Sequence, residues 1–225
     1  MANIIVLAGE SGTGKSTSIR NLDPKETFII NTLGKRLPFK GSTKIYNKEN
    51  KNYLHADNYA TVKAALENIN EKAAHIKTVI LDDIDFLMKK ENFSQAKTKG
   101  FDKYVDMAVN FQALVGQAEK LREDLNVIFF LHLTDVVSEK RIVGKEVDYI
   151  GNMVKKQYDI PQVVTVFLCS ICMFKENGEA EYLFITNHAD VEGIRYPAKS
   201  PMKMFEDKFI PNDLKLVIDA MQDFY

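Results

Sequence analysis

Short, wholly apolar runs alternate along the first two thirds of the chain with longer stretches in which apolar residues recur every three or four positions. Residues 3–8, 27–32, 78–83 and 126–133 are β-branched and apolar without alternation. That is the pattern of strands buried on both faces. Between them, Thr17–Leu22 has helical spacing and is stopped at Asp23-Pro24. Tyr59–Ala74 carries Val62, Leu66 and Ile69 on one stripe, with Asp57 or Asn58 available as its cap. Tyr104–Leu121 places Val105, Ala108, Phe111, Leu114 and Val115 on one side. Strands alternating with helices predict an α/β fold with a mostly parallel sheet flanked by helices. Gly34–Asn52 is loop-like and rich in lysine.

The character changes after Thr134. Residues 136–147 form a hairpin or a flexible loop around Gly144, and Ile150–Gln157 a short helix. An apolar strand over 163–173 is joined through Asn177-Gly178 to a second over Tyr182–Thr186. Asn-Gly between two apolar runs is a strong hairpin signal, so the C-terminal third carries an antiparallel β-hairpin extension. Pro211-Asn212-Asp213 opens a last helix through Met221. There is no repeat, low-complexity segment or linker. A single domain over 1–225 is expected, with a core at 1–134 and an extension of the same domain at 135–225.

The cysteines Cys169 and Cys172 are spaced C-x-x-C but fall inside the strand over 163–173. An offset of three puts their side chains on opposite faces, so neither a bridge nor a chelate is expected. No run approaches the ~20 apolar residues a membrane helix needs, and the first residues lack a basic leader region. A cytoplasmic protein is expected. Lys+Arg is 30 against 31 Asp+Glu, a formal net charge of −1. That balance excludes a uniformly basic nucleic-acid coat but not a local basic groove.

Gly9-Glu10-Ser11-Gly12-Thr13-Gly14-Lys15-Ser16 matches G-x-x-x-x-G-K-[ST], with a predicted strand before it and a helix after it. Glycines at these positions let successive N–H groups face one anion. Lys15 can reach the β- and γ-phosphates of ATP, the Ser16 hydroxyl can bind Mg²⁺, and Thr17 can touch the α-phosphate. The strand over 78–83 ends in Asp82-Asp83. Asp82 is the candidate to hold Mg²⁺, and Asp83 the candidate general base that activates water. Alternatively, Asp83 or Asp85 caps the following turn. His132 ends the strand over 126–133. It faces the γ-phosphate if that strand lies between the phosphate-loop and carboxylate strands, where it would sense the phosphate or orient water. His55, His75 and His188 have no partners at metal-ligand spacing.

Basic residues concentrate locally. Lys35, Arg36, Lys40, Lys44, Lys48 and Lys51 surround Tyr46 and Tyr53. Lys89-Lys90, Lys97, Lys99 and Lys103 form a second run, and Lys140, Arg141 and Lys145 a third, with Lys155-Lys156 beyond. Lysines interleaved with aromatics suit a single-stranded nucleic-acid groove. Lys35, Arg36, Lys40, Lys140, Arg141 and Lys145 are therefore candidate DNA contacts. Arg195 and Lys199 are candidates for a finger acting across a subunit interface. Only 5 Arg are present, dispersed as Arg20, Arg36, Arg122, Arg141 and Arg195. That argues against a nucleotide kinase, which clamps two phosphate chains with several arginines.

The phosphate loop, Val79-Ile80-Leu81-Asp82-Asp83, the His132 strand end and the tail from Ala198-Lys199-Ser200-Pro201-Met202-Lys203-Met204-Phe205-Glu206 to Ile210-Pro211-Asn212-Asp213-Leu214 resemble the small phage-encoded RecA-like AAA-type ATPases, some linked to single-strand annealing and recombination. The resemblance spans nearly the whole chain. It implies a RecA-like P-loop NTPase core, ATP and Mg²⁺ as cofactors, and a homo-oligomeric ring or filament with sites at subunit interfaces. It also implies single-stranded DNA as partner, a single-stranded-DNA-binding protein as a further candidate partner, and the host cytoplasm as location. The expected function is Mg-dependent ATP hydrolysis coupled to single-stranded DNA binding or annealing in recombination or replication. The alternative is a nucleotide-regulated assembly module with little turnover.

Overall fold

A computed structural model of the chain describes residues 1–150, Lys155 and residues 158–225. The apolar runs at 3–8, 27–32, 78–83 and 126–133 become β1 (Asn3–Gly9), β2 (Thr27–Asn31), β4 (Thr78–Asp82) and β5 (Asn126–Leu131), with β3 (Tyr53–His55) added at an edge. After β6 (Leu133–Ser138) and β7 (Arg141–Val147) come β8 (Val166–Phe174) and β9 (Ala180–Ile185), then β10 (Ala189–Val191), β11 (Ile194–Tyr196) and β12 (Phe209–Pro211). The main sheet has eight strands in the order β12-β9-β8-β1-β5-β4-β2-β3. Pairing is parallel from β8 to β3 and antiparallel at β8–β9 and β9–β12. β5 thus lies between the phosphate-loop strand and the carboxylate strand, the condition on which His132 depended.

Among the described residues the helices are α1 (Ser42–Ile45), α2 (Tyr59–Lys72), α3 (Phe86–Ser94), α4 (Asp102–Glu119), α5 (Ile160–Val163) and α6 (Leu214–Phe224). Alternate residues of each central strand enter opposite cores, as a sheet covered on both faces requires. Val6, Val79, Val127 and Phe129 pack with α2 and α4 through Val62, Leu66, Phe111 and Leu114. Ile5, Leu7, Ile80 and Phe130 pack on the other face with Ile19 and with Leu214, Val217 and Ile218 of α6. Asn58 caps α2 by accepting from Thr61 N, and Asp213 caps α6 by accepting from Lys215 N.

Several expectations are corrected. The helix after the phosphate loop is a short 3-10 helix over Ser16–Asn21, ended where Leu22 turns extended ahead of Asp23-Pro24. The segment expected as a loop at 34–52 contains α1 and buries Leu37, Ser42 and Tyr46. The hairpin over 136–147 turns at Glu139 and Lys140, both at positive φ, and not at Gly144. Gly144 lies inside β7, where a Cβ would stand 3.3 Å from the Arg195 carbonyl of β11. The strand placed at 163–173 begins only at Val166, because Ile160–Val163 closes a helical turn with Pro161 at its start. The Asn177-Gly178 turn forms as expected, with Gly178 at φ 80°. The expected helix over 150–157 falls largely outside the described residues. β6, β7, β10 and β11 make a second, four-stranded sheet. Cys169 is fully buried and, like Cys172, a free thiol; burial pushes it well above the usual thiol range. Among the described residues no helix is long and apolar enough to cross a membrane.

Candidate nucleotide-binding site

Polar residues gather where the parallel strands end. β2 ends in Asn31, β4 runs into Asp82-Asp83, β5 is followed by His132, and Ser170 of β8 pairs with Gly9 of β1. Parallel α/β sheets present such a crevice at their carboxyl ends. Here it is a cleft of about 630 Å³ lined by Gly12, Gly14, Lys15, Ser16, Thr17, Asp82, Asp83 and His132, among others. That size suits a small-molecule site.

The loop's backbone dictates its glycines. Gly12 and Gly14 sit at φ 86° and 94°, where side chains are strained. A Cβ on Gly9 would come within 2.7 Å of the Ser170 carbonyl oxygen. The loop is braced from behind: Ser170 Oγ donates to the Thr13 carbonyl at 2.6 Å, and Asn212 Nδ2 donates to Ser170 Oγ at 3.0 Å. Glu10 points outward and pairs with Lys145 at 2.9 Å. Lys15 folds back over the loop, donating to the Gly9 and Glu10 carbonyls at 2.7 and 3.0 Å. Burial pulls its ammonium below the usual range, against the attraction of Asp83, Asp85 and Asp82.

Ser16 Oγ donates to Asp82 Oδ1 at 3.0 Å, joining the phosphate loop to the end of β4 across the intervening β5. Asn31 Nδ2 donates to the other Asp82 oxygen at 2.9 Å. Asp82 is 2% exposed, and burial plus the neighbouring Asp83 push its carboxyl up to about 7. A hydroxyl and a carboxylate lacking enough positive charge form a hard-oxygen donor set that fits Mg²⁺. Asp83 has φ 57°, unusual for a residue with a side chain, and its carbonyl accepts from Thr32 Oγ1 at 2.6 Å. That backbone turn brings the Asp83 carboxylate to 3.7 Å from Lys35 Nζ and 3.6 Å from His132 Nε2.

The other candidates separate into groups. Lys35 and Arg36, expected on a DNA surface, line this cleft. Lys40, Lys140 and Arg141 are exposed away from it. Lys145 is corrected: it is 8% exposed and clasped between Glu10 and Asp135, so its charge does not face solvent. Arg195 is exposed on β11, and Lys199 bridges Phe167 through its backbone; neither lines the cleft. Lys156 lies outside the described residues. Sequence reasoning passed over Asn31, Ser170 and Asn212. The first two had a readable signal, since each is a polar residue in or ending an apolar run.

This is a P-loop nucleotide site in geometry: a curled glycine loop, a buried lysine, and a serine bonded to a strand-end aspartate. Residues 1–188 match a family model described as an AAA domain (AAA_24), and the chain belongs to that family. The family consists generally of ATPases and implies nucleotide binding. No curated protein was found to match the chain.

Proposed function

We propose that the protein binds Mg–ATP in this cleft and hydrolyses it, with turnover coupled to single-stranded DNA in phage recombination or replication. The observation that supports this best is the 3.0 Å bond between Ser16 and Asp82, which joins the phosphate loop to an acid short of positive charge. Mg²⁺, if held by Ser16 and Asp82, would supply positive charge against the charge of the phosphates. Lys15 would leave the loop carbonyls for the phosphates. Ser16 and Asp82 would hold the metal and its waters. Asp83, turned into the cleft by its backbone, would take the proton of the attacking water, with His132 beside it. Lys35, beside Asp83, and Arg36 would add positive charge toward the phosphates. A RecA-like, single-domain organisation and the DNA coupling rest on the resemblance and on the exposed Lys40, Lys140 and Arg141.

The test is ATP turnover with and without single-stranded DNA over a salt series, in wild type and Asp83→Asn. Turnover that rises with DNA, loses that rise steeply with salt, and falls about 10²- to 10⁴-fold in the variant is expected. Turnover indifferent to DNA refutes the coupling; turnover unaffected by Asp83→Asn refutes the base.

The assembly reading has one observation in its favour. Phe101, Val105 and Val109, four residues apart at the start of α4, are 83%, 37% and 54% exposed. An open apolar stripe of that kind suits a contact with a second copy in a ring or filament. It predicts growth in particle size on adding ATP, and an unchanged gel-filtration profile argues against it.

A further inference from the structure

The hydrolysis proposed above leaves one fully buried carboxylate without a role. Asp85 has no solvent exposure and stands at the cap position of α3, yet its side chain makes no capping bond. Its carboxylate is held by other partners. Both its oxygens face His132 Nδ1, at 3.0 and 3.1 Å. Lys89, one turn along α3, donates to Asp85 Oδ2 at 2.9 Å and reaches Asp148 Oδ2 at 2.8 Å. Asp148 N donates to the His132 carbonyl at 2.9 Å, which closes the circuit on the strand end. Phe86 sets its ring edge-on to the imidazole at 5.5 Å between centroids.

We propose that Asp85 is a positioning residue for nucleotide hydrolysis: it keeps a proton on His132 Nδ1 and so turns Nε2 toward Asp83 and the phosphate end of the cleft. An ionised carboxylate can only accept hydrogen bonds. Burial by itself would raise Asp85, but its bonds with His132 and Lys89 bring the carboxyl below the usual range, so it stays ionised. The ring nitrogen facing it must therefore carry hydrogen in either charge state of the imidazole. Nε2 is then the position that gains, gives or accepts a proton, and it lies 3.6 Å from Asp83 Oδ1. Lys89 and Asp148 link this orientation to the end of β7, where the hairpin returns to the main sheet.

The inference rests on the hydrolysis reading, and two experiments separate them. The first needs no turnover. The chain has 4 histidines, so the ¹⁵N imidazole signals of His132 can be assigned by difference from His132→Gln. Wild type is expected to show hydrogen on Nδ1, and Asp85→Ala to shift the neutral ring toward the Nε2–H form that free imidazole prefers. A wild-type ring with bare Nδ1 overturns the proposal, whether or not any variant folds. The second is steady-state ATPase in Asp85→Asn, His132→Asn and the double variant, with folding checked by circular dichroism. Asp85→Asn is expected to lower kcat about 10- to 100-fold, the range for partners that orient a functional ligand, with little change in KM. In the His132→Asn background it should add no further loss. Additive losses, or a loss confined to KM, refute positioning. Absence of turnover in wild type refutes the hydrolysis reading and leaves the ¹⁵N result to decide the geometry.

Discussion

The strand ends of the main sheet and the tip of the β6–β7 hairpin hold their polar side chains in opposite conditions. At the strand ends, each polar group is partnered inside the protein: Asn31 with Asp82, Asp82 with Ser16, Asp85 with His132, Ser170 with Thr13. At the hairpin tip, Lys140 and Arg141 are exposed beside Val137, Ile142 and Val143, which are 62%, 43% and 37% exposed. Buried polar groups are costly unless paired, so the first arrangement persists only where geometry is fixed. That is what chemistry on a phosphate needs. The tip has no such constraint, and its charges and methyl groups face solvent. The regions meet at Lys145, which reaches from the second sheet to Glu10 of the phosphate loop, and at Asp148.

The largest effect that sharpens this contrast is Lys15→Ala. Lys15 is the buried cation of the loop and would meet the phosphates directly. Its loss should weaken ATP binding by about 100-fold or more, since a charge-assisted bond and its charged partner are both affected. Calorimetric titration with ATP checks this. DNA binding measured without nucleotide should stay within about twofold. If both fall together with the fold intact, the two regions are one site and the contrast fails.

A smaller effect concerns Asp82. Its carboxyl titrates near 7 in the folded chain, raised by burial and by Asp83 from the ordinary 3.8. Between those values the folded state binds more protons than the unfolded state. Asp82 therefore contributes a loss of metal-free stability as pH rises through that window. Asp82→Asn removes the penalty and should flatten the decline, gaining about 1–2 kcal/mol at pH 7 relative to wild type in urea unfolding with chelator present. The same variant should lose the stabilisation that Mg–ATP gives wild type. A wild type whose stability rises from pH 5 to 7, with Asp82→Asn tracking it, would show that the strand ends are not short of positive charge.

The chain made the first region legible because strand ends constrain what can be there. Four apolar runs fixed the central strands, and a glycine loop or acidic pair at the end of one can face only the crevice. Asn31 and Ser170 carry only a weak signal, a single amide ending one apolar run and a single hydroxyl inside another; the register to Asp82 and Gly9 is what gives each a task. Lys145 was misread for a related reason. As one of three basic residues near a turn it looked solvated, but the turn falls at Glu139-Lys140 and leaves Lys145 in mid-strand facing Glu10 and Asp135. Composition records Lys35 and Arg36 as a basic stretch and says nothing of the wall they line. Their place in the cleft depends on the path of the chain after β2.

The smallest effect tests the tip alone. Lys140 and Arg141 lie at and just after the turn of a two-residue hairpin, with both turn residues at positive φ. Neither side chain lines the cleft, so Lys140→Ala with Arg141→Ala should leave ATP affinity unchanged. Each phosphate contact on single-stranded DNA contributes ~0.7 to the slope of log K against log salt. The double variant should therefore lower that slope by ~1.4, with a modest loss of affinity at moderate salt. An unchanged slope would move the DNA path off the hairpin, and the exposed Lys40, or Lys97 and Lys99 beside Phe101, would be the next pair to substitute. A changed slope with ATP affinity also altered would mean that the tip is felt at the phosphate loop, and Lys145→Ala would then separate the two. It breaks the clasp between Glu10 and Asp135 while leaving the tip in place, so it should alter nucleotide affinity and not the salt slope.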